Sequence, residues 1–374
     1  MSKLPLGINL GHYEENLPFI SENSPNVFLM RSLDLDKFGV LRFMDWQKTN
    51  NSRVRNYHDL PVAHKSWQFK GGKWDNFPGV PLSIIIDVAN DMNAQPWICI
   101  PHDANDDCIR RMVSLVISRA KRRPIFEYSN EIWNGQFRQF GYCMLRGIWK
   151  RLATRPLNAA LAWQAHRTAF IADAVGGRGD IVVSGQAANS WIVEQVLKEP
   201  ILKGKVDAVA IAPYFGQFSH KLAWGDWDKL YEGLQREIDV TVRDNIRKHK
   251  TLANRYGIAL WGYEGGQHLL GRSAAQKQQF VKLNRHDRMR RLTQQWLNTW
   301  YAEGGELICP YSSSSKFDGH CWGFIEIEEN NQYKRAPKYQ ALLATMPQLP
   351  VPESIPPIMV EVQESEPERE RVLV

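Results

Sequence analysis

Cysteine and long apolar runs are both scarce in this sequence. The five cysteines among 374 residues are odd in number and scattered, at positions 99, 108, 143, 309 and 321. This pattern excludes a disulfide framework and lacks the paired short spacings of a zinc site. Cys99 and Cys309 lie in apolar runs, so we expect buried, reduced thiols. No run approaches the ~18 apolar residues of a membrane-spanning helix, and we therefore expect no membrane partner.

The amino terminus also lacks an apolar signal-type segment. Its first seven residues read Met-Ser-Lys-Leu-Pro-Leu-Gly, without the apolar core that signal peptides carry. We therefore expect the chain to be made in the cytosol. Its site of action stays open, because lysis, assembly into a particle such as a phage tail, or a signal missing from this sequence would each take it outside the cell.

Acidic charge is in short supply over most of the chain. The formal net charge is +7, but residues 347–374 hold six Glu against two Arg, so this tail carries −4 and the remaining body +11. A basic body attracts acidic polymers. However, we find no compact Lys/Arg patch interleaved with stacking aromatics, so solvated basic helices are the preferred interpretation and no nucleic-acid partner is expected.

Eight short apolar runs organise the chain, each followed by a loop and a helix-like period. The runs are Leu4–Leu10, Val40–Trp46, Gln95–Pro101, Pro124–Asn130, Asp180–Gly185, Val206–Tyr214, Ala259–Glu264 and Glu306–Tyr311. Continuous apolar strands are typical of a parallel sheet that is covered on both faces. The repeats predict one (β/α)8 TIM barrel over residues 1–346. An open doubly wound sheet is the alternative, but no Gly-x-Gly-x-x-Gly follows the first run.

Helical periods fill the intervals between these runs. Pro81 is expected at a first helical position, and Asp103 or Asn105 is expected to cap the helix that follows the third run. The periods cover about 82–92, 106–120, 140–174, 188–199, 227–254 and 275–303.

The loops that follow the strands are longer than those that precede them. The longest, residues 47–80, contains Trp67 and Trp74 around Gly71-Gly72 and could form a small hairpin. In a barrel of this kind the loops after the strands build the active face. We therefore expect a cleft on that face.

The composition changes abruptly after about Met346. Residues 347–357 hold five prolines, which favour an extended chain, and the short β-branched pieces beyond them could add a strand to another chain. A disordered solubilising tail is the plainer interpretation. We keep residues 347–374 as a candidate docking segment for a protein partner.

Two glutamates close strand-like runs about 130 residues apart. Glu131 follows Asn130 at the end of the fourth run, and Glu264 ends the seventh. Alternation along the fourth run places Glu127 and Glu131 on one side and Asn130 on the other. If both runs point inward, the two carboxyl groups meet at the barrel mouth, and such a pair is what glycoside hydrolysis requires.

This pattern resembles the clan A retaining glycoside hydrolases, the (β/α)8 group that includes cellulases and related β-glycanases. The resemblance covers most of residues 4–345, with its specific part at the strand ends. It implies that Glu131 of the Asn130-Glu131 pair is the acid/base and that Glu264 is the nucleophile. No cofactor or metal is implied.

The same resemblance implies substrate-binding residues around the two glutamates. Arg42 is similar to the arginine that supports the nucleophile, and Tyr214 to the tyrosine that contacts it. The other positions implied are His102 as a subsite histidine, Asn130 on the 2-hydroxyl of a sugar, and Trp322 as a sugar platform. Trp133 follows a strand as well, and we expect it to provide apolar cover for Glu131 or a platform for a sugar ring. Two departures from the family pattern are Ala212-Pro213, where a histidine often precedes the tyrosine, and the serine run 312–315 before Trp322.

The preferred hypothesis is a retaining glycosidase that cleaves a β-linked polysaccharide. On this hypothesis Glu131 has a raised pKa, from the charge of Glu264 and the cover of Trp133, while Arg42 and Tyr214 keep Glu264 ionised. The alternative from another class is a barrel that has lost turnover and serves as a glycan-binding or structural part of a particle. A lyase or transglycosylase is a third option.

His102 with Asp103, Asp106 and Asp107 is a weaker candidate for a site of another kind. These residue types bind metals, but an acid-rich helix N-terminus explains them better.

Overall fold

The computed structural model describes residues 6–11, 35–62, 79–217, 225–327 and 333–346. Eight parallel strands form its central sheet in sequence order, each paired with the next. They are β1 (Gly7–Asn9), β2 (Val40–Arg42), β3 (Gln95–Ile100), β4 (Ile125–Tyr128), β5 (Asp180–Ser184), β6 (Ala208–Ile211), β7 (Ala259–Gly262) and β8 (Leu307–Ile308). Each strand lies within one of the eight predicted runs.

The sheet closes on itself between its first and last strands. Leu6 pairs with Ile308 in a parallel bridge, and the Asn9 amide donates to the Pro310 carbonyl at 3.0 Å. This closure confirms the (β/α)8 TIM barrel and removes the open doubly wound alternative. β3 is buried at all but its first residue, as expected for a strand with side chains on one face inside the barrel and on the other under the helices.

Helices cover the outside of the barrel. They are α1 (Leu82–Asp91), α2 (Asp106–Arg119), α3 (Arg138–Trp149), α4 (Pro156–Val175), α5 (Ser190–Leu197), α6 (Trp227–Glu237), α7 (Arg243–Tyr256), α8 (Ala274–Asn284), α9 (Asp287–Ala302) and α10 (Pro337–Thr345). One turn of π-helix, Ile238–Val242, joins α6 to α7, and 3-10 turns span Leu35–Lys37, Tyr57–Asp59 and Pro200–Leu202. None of the helices in the described ranges combines the length and apolar composition needed to cross a membrane.

Helix boundaries differ from the prediction at three places, one of which is the period over 275–303, where the structure has the two helices α8 and α9. The period over 140–174 is two helices, because Arg151 adopts a positive φ of 59° and Pro156 then starts α4 at its first turn. Pro81 is the N-cap of α1 and not its first helical residue. Asn105 caps α2 by accepting from the Cys108 amide at 2.8 Å, which decides between the two predicted caps.

A second, three-stranded sheet follows the barrel on the side where β8 ends. It consists of β9 (Ser314–Ser315), β10 (Ile325–Ile327) and β11 (Tyr333–Arg335), in the order β11-β10-β9. The predicted hairpin around Trp67 and Trp74 and the docking segment 347–374 lie outside the described residues.

Candidate active site

The end of β4 departs from regular strand geometry just where the Asn-Glu pair begins. Ser129 and Glu131 adopt positive φ values of 60° and 44°, which are costly for residues other than glycine. The sequence prediction that Asn130 faces away from Glu131 is therefore wrong. Asn130 accepts a hydrogen bond from Arg42 Nη2 at 3.0 Å through its Oδ1, so both members of the pair reach the barrel mouth.

Arg42, at the end of β2, is the hub of the site. It is fully buried, and its Nε and Nη2 donate to Glu127 Oε2 at 3.2 and 2.9 Å. Nη1 donates to Asn9 Oδ1 and to Glu264 Oε1, both at 3.1 Å. With the bond to Asn130, all five guanidinium N–H groups have acceptors. The guanidinium is thereby fixed in one orientation beneath the mouth.

Glu264 follows β7 and is 7 % exposed. Its Oε1 accepts from Arg42, and its Oε2 accepts from the Tyr214 hydroxyl at 3.0 Å. These are the two contacts that the resemblance implies for a nucleophile. Glycine at position 262 is required below it, because a Cβ there would lie 2.6 Å from Ile308 Cγ1.

The electrostatics of Glu264 differ from the sequence expectation. Burial raises the pKa of Glu264 to about 8, and the nearby charges of Glu131 and Asp45 add to the rise, while Arg42 and Tyr214 oppose it. Arg42 is shared with Glu127, so one guanidinium faces several carboxyl groups. The sequence predicts that its donors keep Glu264 ionised. With a pKa of about 8, the carboxyl group instead favours its protonated form at neutral pH.

Tyr263 connects the two glutamates. Its hydroxyl donates to Glu131 Oε1 at 3.2 Å, and its neighbour along the chain is Glu264. Asn134 Nδ2 donates to the other oxygen, Glu131 Oε2, at 2.8 Å. The ring of Trp133 packs against Tyr263 with centroids 6.4 Å apart. The carboxyl groups from β4 and β7 therefore converge on one mouth.

Aromatic side chains form one wall of this mouth. The ring of Tyr214 packs against His268 at 5.2 Å, and His268 lies 6.1 Å from Trp322. Trp322 also packs edge-on against Tyr311 at 5.7 Å and stacks on His320 at 4.9 Å. The structure thus brings Trp322 to the same side of the mouth as Tyr214.

His102 follows β3 and is nearly buried, at 5 % exposure. Its described contacts are the ring of Tyr142, 5.2 Å away, and the Tyr128 hydroxyl, which donates to the His102 carbonyl at 2.7 Å. Burial lowers the pKa of His102 to about 4, so its imidazole is neutral at neutral pH. It lines the rim between β3 and α3.

Sequence reasoning missed Tyr263, Tyr311, Asp45 and Asn9 as site residues. The Tyr311 hydroxyl donates to Asp45 Oδ2 at 2.8 Å. Burial raises the pKa of Tyr263 and of Tyr311 well above the ordinary value. Asn9 could have been found, since it is a polar residue within a buried apolar strand. Tyr263 carried no signal, because strand alternation places it opposite Glu264.

The acidic residues at the start of α2 are engaged in ion pairs. Asp106 lies 2.6 Å from Arg167, Asp103 3.3 Å from Arg55. Within the described ranges, no group of three His, Cys, Asp or Glu side chains is placed to hold a metal ion.

Glycoside hydrolases are among the solved structures with a similar fold. Three of them are a GH51 arabinofuranosidase from Xanthomonas axonopodis pv. citri (TM-score 0.63, 13% identity, covering 93% of this chain and 73% of that one), the family 51 alpha-L-arabinofuranosidase AbfB from Bifidobacterium longum (0.59, 10%, 92% and 73%), and a GH5-4 broad specificity endoglucanase from Ruminococcus champanellensis with bound cellotriose (0.53, 10%, 91% and 96%). No protein-family model and no curated protein matches the sequence.

These likenesses define the class of fold. The closed barrel of eight parallel strands, with its helices outside, is a clan A glycoside hydrolase-like fold. The resemblance stated from the sequence is confirmed at this level. At identities of 10–13%, the likeness concerns the fold and leaves the roles of the individual residues to be proposed from the site itself.

Proposed function

We propose that this protein is a retaining glycoside hydrolase that cleaves a polysaccharide through a covalent intermediate, with Glu264 as nucleophile and Glu131 as acid/base. The observation that carries the proposal is the convergence of two carboxyl groups, with Glu264 held by Arg42 and Tyr214 and Glu131 held by Tyr263 and Asn134. Two carboxyl groups with different partners suit two different roles.

The reaction proceeds in two displacements. A Glu264 oxygen attacks the anomeric carbon and the bond to the leaving oxygen breaks, while Glu131 gives that oxygen a proton. Water then attacks the same carbon, Glu131 takes the proton of the water, and the ester to Glu264 breaks. Asn130 accepts from Arg42 through its Oδ1 and donates one Nδ2 hydrogen to Asn50 Oδ1 at 3.1 Å, so its second Nδ2 hydrogen is left for a sugar hydroxyl beside the reacting centre.

The protonation of Glu264 sets the lower end of the pH range of this mechanism. A carboxyl group attacks carbon in its ionised form, and burial raises the pKa of Glu264 to about 8. We therefore expect kcat/KM, which reports the free enzyme, to rise as the pH approaches about 8. A kcat/KM that stays level between about pH 5 and about pH 8 would contradict the assignment of Glu264 as nucleophile.

The substrate proposal is a β-linked glycan, and the fold neighbours guide the assay panel. A broad specificity endoglucanase of similar fold holds cellotriose, which supports β-linked glucans. Two other neighbours are arabinofuranosidases, so arabinofuranosides belong in the panel as competitors. Sugar release from the panel identifies the preferred linkage.

Labelling of the nucleophile is the direct test. A fluorinated glycoside that traps the covalent intermediate should label Glu264 in the wild type, located by mass spectrometry of peptides, and should label no residue in Glu264→Ala. Glu131→Ala should lose about 10²–10⁴ in rate, with a larger loss for poor leaving groups than for activated aryl glycosides. Wild-type turnover that survives both substitutions would refute the roles.

A barrel that binds glycan without turnover is the second candidate. The raised pKa of Glu264 favours it, since a protonated carboxyl is a poor nucleophile. Binding of a glycan without release of sugar and without labelling of Glu264 would select this function.

A further inference from the structure

An unusually basic segment follows the proposed acid/base residue. Between Ile132 and Ala172 the sequence contains six Lys or Arg and no Asp or Glu. This segment forms α3 and most of α4. Sequence inspection revealed no compact basic patch with stacking aromatics, but the fold brings such a patch together at the end of α3.

Helix α3 begins at the rim of the proposed cleft. Its Gln139 donates through Nε2 to the Asn130 carbonyl at 2.9 Å and to Asn50 Oδ1 at 2.7 Å. One turn later, the ring of Tyr142 packs against His102. The first half of α3 therefore belongs to the wall of the mouth, and its second half extends outward from there.

A pocket of about 420 Å³ lies between α3, α4 and the start of α2. Its lining combines aromatic and charged side chains, including Tyr142, Arg146, Trp163 and Arg167. A cavity of this size accepts a small ligand such as a sugar unit, and Tyr and Trp side chains offer flat faces for sugar rings. Since Tyr142 touches His102, the pocket adjoins the cleft.

The acidic groups of this pocket are already neutralised. Asp103 pairs with Arg55 at 3.3 Å, Asp106 with Arg167 at 2.6 Å. Asp107 lies 3.9 Å from Arg111. Each carboxylate therefore has a cation of its own.

Arg146 also lines the pocket, and it takes part in none of these ion pairs. Its guanidinium carbon lies 5.0 Å from the centre of the Trp149 ring and 5.1 Å from that of Trp163. Its Nε is buried without a hydrogen-bond partner among the described residues. A planar guanidinium between aromatic rings, with donors to spare, suits a carboxylate or sulfate group.

The outer end of α3 also places an aromatic ring beside basic side chains, here at the protein surface. Trp149 is 67 % exposed, and Lys150 Nζ lies 4.8 Å from the centre of its ring. Lys150, Arg151 and Arg155 are all exposed, and within the described part of the chain none of them has an ion-pair partner. An exposed indole with Lys150 over its ring, followed along the chain by two further exposed cations, suits a charged sugar chain both in shape and in charge.

We propose that the Arg146 pocket and the exposed end of α3 form an accessory site that binds the anionic units of an acidic polysaccharide. The surface is contiguous with the proposed cleft, so that one glycan chain can occupy both. The inference deepens the proposed function by naming a charged substrate class, and it is tested by binding alone, without turnover.

Binding to matched charged and neutral chains tests the ligand class. Polygalacturonate and its methyl-esterified form share a backbone and differ in carboxylate charge, and dextran sulfate with dextran provides the sulfate pair. We expect the charged member of at least one pair to bind at least about tenfold more tightly in about 0.05 M NaCl and to weaken in about 0.2 M NaCl. The preferred pair distinguishes carboxylate from sulfate. Equal affinity for the charged and neutral members of both pairs overturns the proposal.

Paired charge removal tests the location. Lys150→Ala/Arg151→Ala and, separately, Arg146→Met should each lower the affinity about tenfold, as expected for the loss of charge-assisted contacts. The matched control Lys203→Ala/Lys248→Ala removes two exposed charges elsewhere on the barrel and should leave the affinity unchanged. Equal losses in both double variants would mean a diffuse charge effect and would refute the site.

Two further measurements distinguish this proposal from the hydrolase proposal and from binding of nucleic acid. Measuring the same affinities on Glu264→Gln keeps the result independent of hydrolysis, so that a failed hydrolase assignment leaves it standing. A single-stranded DNA oligonucleotide of equal charge should bind more weakly than the preferred acidic glycan. Tighter binding of DNA at the same residues would overturn the glycan assignment.

Discussion

At the scale of single residues, the site is organised around one arginine that has more carboxyl partners than it can neutralise. Arg42 serves Glu127 in the barrel interior and Glu264 at the mouth. Glu127 is buried, so water does not solvate its carboxyl group. Removing one partner of such a buried ion pair destabilises the fold. The protonation of Glu264 at the mouth therefore depends on Glu127, which lies beneath it and shares Arg42.

The raised pKa of Glu264 predicts that this carboxyl group destabilises the fold at alkaline pH. The folded chain keeps the proton up to about pH 8, whereas the unfolded chain releases it near the ordinary value of ~4.5. Stability attributable to Glu264 is thus greatest at low pH and declines as the pH rises from about 4.5 to about 8. Glu264→Gln removes the titrating group and should stabilise the protein at pH 8, by at most about 5 kcal/mol.

Thermal unfolding at several pH values measures this effect. The melting temperature of Glu264→Gln relative to the wild type should be close to unchanged near pH 4.5 and should increase toward pH 8. Glu232→Gln replaces an exposed carboxyl and serves as the matched control with no such trend. A difference for Glu264→Gln that is constant with pH would argue against the burial effect.

The sequence predicted much of the site at this scale and missed it where local geometry decides. Glu264, Arg42 and Tyr214 are brought together because they end neighbouring or facing strands of a closed barrel. Asn130 was assigned to the wrong side because two non-glycine residues beside it adopt positive φ, and residue type does not signal that conformation.

At the scale of elements, helix α10 supports the loop that carries Trp322. Lys338, fully buried near the start of α10, donates through Nζ to the Cys321 carbonyl and approaches the Trp322 carbonyl at 3.5 Å. The same Nζ lies 4.9 Å from the centre of the Phe317 ring. Burying an ammonium group with few counter-charges costs free energy. The contacts of Lys338 Nζ with the two carbonyl groups connect α10 to the aromatic wall of the mouth.

Burial lowers the pKa of Lys338 to about 7, which predicts the pH dependence of this element. Between about pH 7 and the ordinary value of ~10.5, the unfolded chain binds a proton that the folded chain does not. Stability from this group therefore rises with pH across that range and is least below about pH 7. Lys338→Met abolishes the trend, so the free energy of unfolding of the wild type relative to the variant should rise from pH 7 to pH 10.

Denaturant unfolding at those pH values, with Trp fluorescence as the probe, checks the effect. Lys282→Met, at an exposed position in the last turn of α8, is the matched control and should show no trend. Lys338→Met should also shift the emission of Trp322, because the carbonyl groups of the loop lose their donor. A parallel pH dependence in wild type and Lys338→Met would exclude the buried ammonium as its source.

The sequence was more informative for strands than for helices. Each strand interrupts a polar stretch with a short apolar run, so all eight were found. Helical periodicity persists across a break, and the interval 140–174 therefore gave no sign that Arg151 and Pro156 divide it into α3 and α4. The division matters for function, because α3 is the helix that turns onto the rim.

At the scale of the whole molecule, the described structure ends with α10 packed on the barrel. Tyr339 and Leu342 are buried, and α10 packs against α9. Residues 347–374 follow directly and carry the charge of opposite sign to the body. The prediction of one barrel over residues 1–346 can therefore be tested by removing the remainder.

Truncation after Met346 should leave a cooperative barrel whose melting temperature lies within about 2–4 °C of the full chain, because the cut leaves the buried face of α10 intact. Truncation after Ala336 is the control. It removes Tyr339 and Leu342 from the core and Lys338 from the loop, and it should destabilise by several kcal/mol. Light scattering gives the number of chains per particle and so decides the role of the removed segment: more copies per particle for the full chain than for the 346-residue chain support docking through residues 347–374. An equal number of copies would refute docking between copies of this chain, and a 346-residue chain that fails to fold would place the tail within the barrel unit.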